Sequence, residues 1–251
     1  ADLAPSVAIV GSGPAGCFSA QALRRAMPAA RIDVLDRLPV PYGLVRHGVA
    51  ADHQGTKAVS RQFDRLFLHE GVRFVGGVHV DAALLARLRG TYDVVVLATG
   101  LSADAALAMP GSDLPGVVGA GVVTRVLNGH PDEQEVPRLG RSVVVVGHGN
   151  VAVDVTRLVV RDAAELGGTD VDDAVRHDLA GDVRELHLVG RSAPSAARFD
   201  PVMVRELASL AGVEHVVHGA DLDAAAPGKD ARVDAVRALA ARTSDAVGAV
   251  R

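Results

Sequence analysis

The chain has 251 residues, enough for one large hydrophobic core or two moderate ones. Hydrophobic residues make up 49% of it and aromatic residues only 3%, so aliphatic side chains must fill the interior, as in a parallel sheet covered by helices. The net charge of −4 lacks the basic bias of a general nucleic-acid binder, and a single cysteine excludes an intramolecular disulfide. The single cysteine fits a reducing, intracellular setting, and no apolar stretch is long enough for a membrane span, so we expect a cytoplasmic protein; a cleaved targeting segment is the open alternative.

Strands and helices alternate along the first hundred residues. The predicted elements are strands at 7–10, 31–35, 72–75 and 92–97, and helices at 14–27, 59–68 and 81–88. Residues 38–57 are rich in proline and glycine and are predicted to form a long ordered loop.

A linker with two Pro-Gly pairs follows, and the same scheme then restarts. The predicted elements are strands at 142–146, 184–189 and 213–217, and helices at 150–160 and 201–210. Because alternating strands and helices form right-handed crossovers, both sheets should be parallel. The restart predicts two α/β domains, residues 1–101 and 102–251.

A glycine-rich loop of the form G-x-G-x-x-G follows the first strand and opens a helix. Gly11 permits the tight turn, Gly13 lets a pyrophosphate approach the backbone, and Gly16 allows the helix to pack closely on the strand. Asp36 ends the second strand at the spacing expected of a carboxylate that binds ribose hydroxyls. We therefore predict a dinucleotide site that also includes Pro14, Ala15 and Arg37.

A second loop, G-x-G-x-x-A, follows the strand at 142–146. Gly147 and Gly149 should bind a second dinucleotide, with Asn150 and Val151 at the start of the helix. The next strand, which should carry the ribose-binding residue, is followed by Arg191 and Ser192 and by no carboxylate, and an arginine there suits a 2′-phosphate. These features favour FAD at the first loop and NADP(H) at the second, so both domains should be Rossmann-like.

The residues do not indicate a metal site or a reactive cysteine. His215 and His218 lie three apart in a predicted strand and would face opposite sides, so we expect no metal site. Cys17 should be a small core residue.

Two further stretches carry a resemblance to a known family. They are P-Y-G-L-V-R at 41–46, followed by G-V-A at 48–50 and Asp52-His53, and G-H-G-N-V-A-V-D-V at 147–155 with Arg157. Together with the first loop they are similar to adrenodoxin-reductase-type ferredoxin–NADP⁺ reductases. The resemblance implies a glutathione-reductase-like architecture, here truncated, with an FAD-binding domain followed by an incomplete NADP-binding domain.

The resemblance also implies an activity and its residues. NADPH would pass a hydride to FAD, which delivers electrons to a ferredoxin or similar iron–sulfur protein. His53 and Glu206 match positions at the nicotinamide–flavin junction, and Asp154 matches a position that assists electron delivery; these three are the implied catalytic residues. Further implied FAD contacts are Gly43, Leu44, Val80, Ala98, Thr99 and Gly100.

Several departures leave alternatives open. Ser192 and Met203 stand where the family has a second arginine and a glutamate, and Gln54-Gly55 replace Pro and Glu, so NADH use is also plausible. The family continues past Arg251 with a segment that covers the flavin. The chain could therefore be a fragment, part of a complex or a shortened variant. Two alternative functions stay open: an FAD/NAD(P)H oxidoreductase with a different electron acceptor, and a nucleotide-binding module without turnover. The sequence does not indicate the physiological acceptor or the oligomeric state.

Overall fold

The structure is a computed structural model that describes residues 4–101, 103–219 and 221–241. Its strands are β1 Ser6–Val10, β2 Arg31–Leu35, β3 Arg73–Val75, β4 Val94–Leu97, β5 Ser142–Val146 and β6 Glu185–Val189. Its α-helices are α1 Pro14–Ala26, α2 Leu44–His47, α3 Gln54–Lys57, α4 Ser60–Leu68, α5 Ala82–Thr91, α6 Ala120–Leu127, α7 Asn150–Val160, α8 Asp173–Ala180, α9 Pro201–Ala208 and α10 Ala231–Ala240.

The first four strands form one parallel sheet in the order β3-β2-β1-β4. The central strand β1 is apolar on both faces, as a strand covered on two sides must be. Val7 and Ile9 pack into a cluster with buried residues of α1 and α4, while Ala8 and Val10 pack with Leu88 of α5 on the other face. The sheet is therefore a sandwiched α/β layer, and the predicted fold class is confirmed.

The second sheet pairs β5 with β6, also in parallel. Buried residues of α7, α9 and α10 form its neighbouring apolar cluster, which includes Val153, Met203 and Ala235. Alternate residues of both strands remain exposed, and they include Val144 and Val146. One face of this sheet is thus open in the described chain, and it combines exposed valines with the polar pair Glu185 and His187.

The chain folds into two compact units. The first comprises Ala1–Ala105 and Asn128–Gln134, and the second comprises Ala106–Leu127 and Glu135–Arg251. The sequence did not indicate that Asn128–Gln134 packs with the first unit. The domain division at residue 101 stays a prediction.

Several segments differ from the sequence predictions, which did not include α8 and α10. Residues 213–217 were predicted as a strand, but they have no regular structure, and Val213 packs against the helical cluster of α9 and α10. A strand needs a neighbour to satisfy its backbone, and this segment pairs with no strand of the described chain. The predicted loop 38–57 contains the single-turn helices α2 and α3, and the predicted linker contains α6.

Candidate dinucleotide-binding sites

Two glycines of the first loop are required by backbone sterics. Gly11 has φ +104°, and a Cβ added there would lie 2.2 Å from the carbonyl oxygen of Ala98 at the end of β4. A Cβ on Gly16 would lie 1.9 Å from the carbonyl oxygen of Gly11. The turn and the close packing of α1 therefore exclude any side chain at either position.

Gly13 differs, because the described residues leave open the space beside it. The nearest atom to an added Cβ is the Cα of Gly43, at 4.0 Å. Gly13 caps the N-terminus of α1, a 13-residue helix with Pro14 in its first turn. The start of the helix directs unpaired N–H groups and the positive end of its dipole toward this open space, which suits a diphosphate.

Asp36 lies beside this loop, as its spacing predicts. Its Oδ2 accepts hydrogen bonds from the backbone N and the hydroxyl of Ser12, at 2.8 and 2.6 Å, and its Oδ1 accepts from Leu38 N at 2.9 Å. A carboxylate has about four acceptor positions, so one stays open for a ligand hydroxyl. Its neighbour Arg37 instead forms an ion pair with Asp132.

The P-Y-G-L segment packs directly on the first loop. Tyr42 donates its backbone N–H to Ser12 O at 3.0 Å, and a Cβ on Gly43 would lie 2.9 Å from the Cα of Gly13. Tyr42 has φ +91°, a conformation that non-glycine residues rarely adopt, so the tertiary contacts must hold it. Its hydroxyl donates to Asp64, and burial together with this bond raises its pKa well above the usual range.

The remaining residues predicted near the flavin lie on three segments. Leu44 begins α2 and is exposed, and His53 precedes α3 and is half-buried. Thr99 and Gly100 are exposed after β4, at the edge of the sheet where the first loop also lies. Val80 packs partly against the cluster around Ala8 and Val10. The structure thus places these residues in the first unit, and their contacts with a cofactor stay predictions.

The second loop repeats the local geometry of the first. Gly147 has φ +128° and donates its N–H to Val189 O at 2.7 Å, which ties the loop to the end of β6. Gly149 caps α7, and an added Cβ would meet nothing within 4 Å. Asn150 accepts a hydrogen bond from Asp200 N at 2.7 Å through its side chain, and Val151 is exposed. This loop also offers an open space at a helix N-terminus.

Arg191 and Ser192 lie where the ribose strand predicts them. Both are exposed just after β6, at the edge where the second loop begins. Gly190 precedes them, and a Cβ there would lie 2.4 Å from the ring of His148. Arg191 therefore has the placement to bind a phosphate, which stays a prediction.

The predicted catalytic residues Asp154 and Glu206 both contact Arg157. The guanidinium of Arg157 is buried, with Nη2 at 2.7 Å from Asp154 and Nη1 at 3.5 Å from Glu206. In the sequence, Arg157 stands out only as part of the family motif, and no role for it is indicated there. The signal that could have identified it is its spacing of three residues from Asp154 on α7.

Two other residues that the sequence analysis named, Met203 and Cys17, are buried in apolar surroundings. Met203, where the family has a glutamate, packs in the apolar cluster of the second unit, so no carboxylate is available there. Burial, with a smaller contribution from the charge of Asp36, raises the pKa of the Cys17 thiol to about 12. Cys17 is thus a core residue held as a thiol, as predicted.

Two dinucleotide-type loops on parallel sheets define the class of protein. The chain matches the family described as Pyridine nucleotide-disulphide oxidoreductase over residues 5–172, and it belongs to that family. The disulphide in this description has no counterpart within the chain, which has one cysteine.

Particular relatives support the adrenodoxin-reductase-type resemblance, which is confirmed. Cindoxin reductase of Citrobacter braakii is 48% identical over 211 residues, which cover 83% of this chain and 46% of the relative. NADPH:adrenodoxin oxidoreductase, mitochondrial, of Arabidopsis thaliana is 39% identical over 224 residues, covering 86% and 46%. Mycobacterium tuberculosis FprA in complex with NADPH has a TM-score of 0.86 at 37% identity, covering 95% of this chain and 56% of that one.

The chain spans about half the length of the relatives it matches. Among the residues that the structure describes, none of the helices is both long and apolar enough to cross a membrane.

Proposed function

We propose that this chain supplies the dinucleotide-binding part of a flavin-dependent reductase. The enzyme passes a hydride from NADPH to FAD and then electrons to a ferredoxin or similar iron–sulfur protein. The observation that carries this proposal is the repeated open space at a glycine that caps a helix, at Gly13 and at Gly149. A bound flavin supplies hydride acceptance and one-electron release, while the protein supplies binding and alignment.

Residues of the first loop fit FAD. Asp36 is held by Ser12 and Leu38 with an acceptor position left for a ribose hydroxyl. The backbone N–H groups after Gly13 bind the diphosphate, and Leu44, exposed beside the loop, contacts the flavin. His53 assists proton movement and orientation at the flavin.

Residues of the second loop fit NADP(H). Arg191, exposed after β6, binds the 2′-phosphate, and Ser192 donates a further hydrogen bond. A single arginine lowers the preference for NADPH over NADH, because each charge-assisted hydrogen bond to a phosphate contributes about 1.5–3 kcal/mol. Glu206 orients the nicotinamide, and Asp154 assists electron delivery. We also infer a reducing, cytoplasmic setting, in which Cys17 stays a thiol.

The test is anaerobic reduction of the purified protein. We expect a yellow preparation, or one reconstituted with FAD, whose visible absorbance is bleached by NADPH. Subsequent reduction of a ferredoxin separates this function from that of another flavoprotein. A chain that cannot take up FAD would instead be a nucleotide-binding module without turnover.

A variant of Arg191 tests whether this residue binds the 2′-phosphate, with NADH as the matched control nucleotide. Arg191→Ala should raise the NADPH concentration needed for half-maximal bleaching by roughly 10- to 100-fold, corresponding to one lost charged contact, and change that for NADH little. Equal effects on both nucleotides would show that Arg191 does not bind the 2′-phosphate.

A further inference from the structure

A buried lysine ends the loop that carries the predicted flavin residues. Lys57 is only 7% exposed, although it lies at the end of the single-turn helix α3. Its Nζ donates hydrogen bonds to the side-chain oxygen of Asn128 at 2.5 Å and to Arg46 O at 3.3 Å. Lysines are seldom buried without partners, because removing the ammonium from water is costly. Asn128 is therefore one of the partners that stabilise this buried ammonium group.

Asn128 contacts this loop at three points. Besides accepting from Lys57, it donates from Nδ2 to Val49 O at 3.0 Å, and its carbonyl oxygen lies 3.3 Å from Nδ1 of His47. The three partners span the loop from α2 to α3. One asparagine thus links the end of α2, the residues just after it and the end of α3.

The segment that follows Asn128 makes a second contact with the loop at residues 38–57. The ring of His130 packs edge-on against His47, with centroids 4.8 Å apart, and its Nδ1 accepts from Asp132 N at 3.1 Å. Asp132 in turn pairs with Arg37, the neighbour of Asp36. Asn128–Gln134 therefore runs along the first unit from the loop at residues 38–57 to the end of β2.

We propose that Lys57 and Asn128 form a clamp whose role is to position His53. The backbone N–H of Lys57 donates to His53 O at 3.1 Å, so the anchored end of α3 holds His53 at its other end. A single helical turn is not stable alone, and its orientation must come from tertiary anchors. Lys57 and Asn128 are positioning residues, and this inference rests on the proposed function.

The first test is a double-mutant cycle with His53. In the full-length flavin-bound protein, Lys57→Met should lower the rate of anaerobic flavin reduction by NADPH by roughly 10- to 100-fold, as a small misplacement can, while KM for NADPH stays unchanged. Added to His53→Gln, it should lower the rate little further, because both variants remove the same alignment. The proposal would be overturned if the rate reduction of the double variant equalled the product of the two single reductions. It would also be overturned if His53→Gln were reduced as fast as wild type.

The second lysine of the chain provides the control. Lys229 is exposed and lies in the other unit, so Lys229→Met should reduce at the wild-type rate. If Lys57→Met does not fold, Asn128→Ala carries the test, since it leaves the bond from Lys57 to Arg46 in place. A rate for Asn128→Ala equal to that of Lys229→Met overturns the clamp.

Amide hydrogen exchange tests the clamp without any turnover. Asn128→Ala should speed exchange in peptides covering residues 44–57 and leave α7 unchanged. If wild-type protein takes up FAD but is not reduced by NADPH, the proposed function fails while faster exchange still supports the clamp. Unchanged exchange in 44–57 overturns the clamp whatever the activity.

Discussion

At the residue scale, the glycines of the two loops are required for different reasons. Gly11 and Gly16 have backbone oxygens where a Cβ would lie, so they are needed for the chain to fold. Gly13 and Gly149 have open space there and ordinary extended backbone angles, so the fold itself does not exclude a side chain. A glycine that the fold does not require points to a ligand that approaches the backbone.

This difference predicts the behaviour of Gly13→Val. The variant should abolish FAD retention because the side chain fills the space for the diphosphate, while the free energy of unfolding of the flavin-free protein changes by less than about 1 kcal/mol. Flavin content after purification and chemical denaturation of the apoprotein measure the two effects. Gly149→Val is the matched control and should keep FAD but lose NADPH binding. Retention of flavin by Gly13→Val would contradict the assignment of the first loop.

At the element scale, Arg157 connects α7 to α9. The apolar faces of these helices pack in one cluster, and the buried guanidinium lies beside Asp154 of α7 and Glu206 of α9. Burying a charge is tolerated only with paired partners. The two predicted catalytic carboxylates are therefore held by a shared cation, whatever their part in the reaction.

Arg157→Met should destabilise the second unit. We expect a loss of about 1–3 kcal/mol, below the ~3–5 kcal/mol of a fully buried pair, because both carboxylates reach solvent. Urea denaturation measures the loss. Arg205→Met, at an exposed position of α9, should change stability by less than about 0.5 kcal/mol. Similar losses in both variants would show that the pairing of Arg157 contributes nothing specific.

At the scale of the whole molecule, the chain has two compact units and about half the length of its relatives. The first unit contains a buried titratable group, His47, whose Nε2 has no hydrogen-bond partner within the described residues. Burial is the largest cause and lowers the pKa of His47; the hydrogen bond to Asn128 raises it in part, and the charges of His130, Arg46 and Lys57 each lower it by less. His47 is therefore neutral in the folded protein near pH 7.

The lowered pKa predicts a loss of stability in acid. Unfolding restores the ordinary pKa of 6.5, so below that pH the unfolded chain binds more protons than the folded one, and stability falls as pH drops from 6.5 toward the folded pKa. The decrease in Tm between about pH 7.5 and about pH 5.5 should be smaller for His47→Gln than for wild type. His69→Gln, at an exposed site, should behave as wild type. An equal decrease in all three proteins would exclude this role of His47.

The sequence by itself determined the local features: both glycine loops, their strands and helices, and the position of Asp36 at the end of β2. The loops and the placement of Asp36 at the end of β2 depend on short-range sterics and on a fixed spacing along the chain, which residue types encode directly, whereas the hydrogen bonds of Asp36 with Ser12 were not predicted. It also determined α7, whose ends lie where the pattern predicts them.

Only the tertiary structure decided which distant residues meet. Nothing in the sequence near Asn128 indicates that it contacts Lys57, 71 residues earlier, or that Arg157 is buried between two carboxylates. The same holds for residues 213–217, where an apolar pattern predicts a strand but no neighbouring strand of the described chain is available to pair with it. Burial and pairing depend on the whole packed chain, and a local pattern does not contain that information.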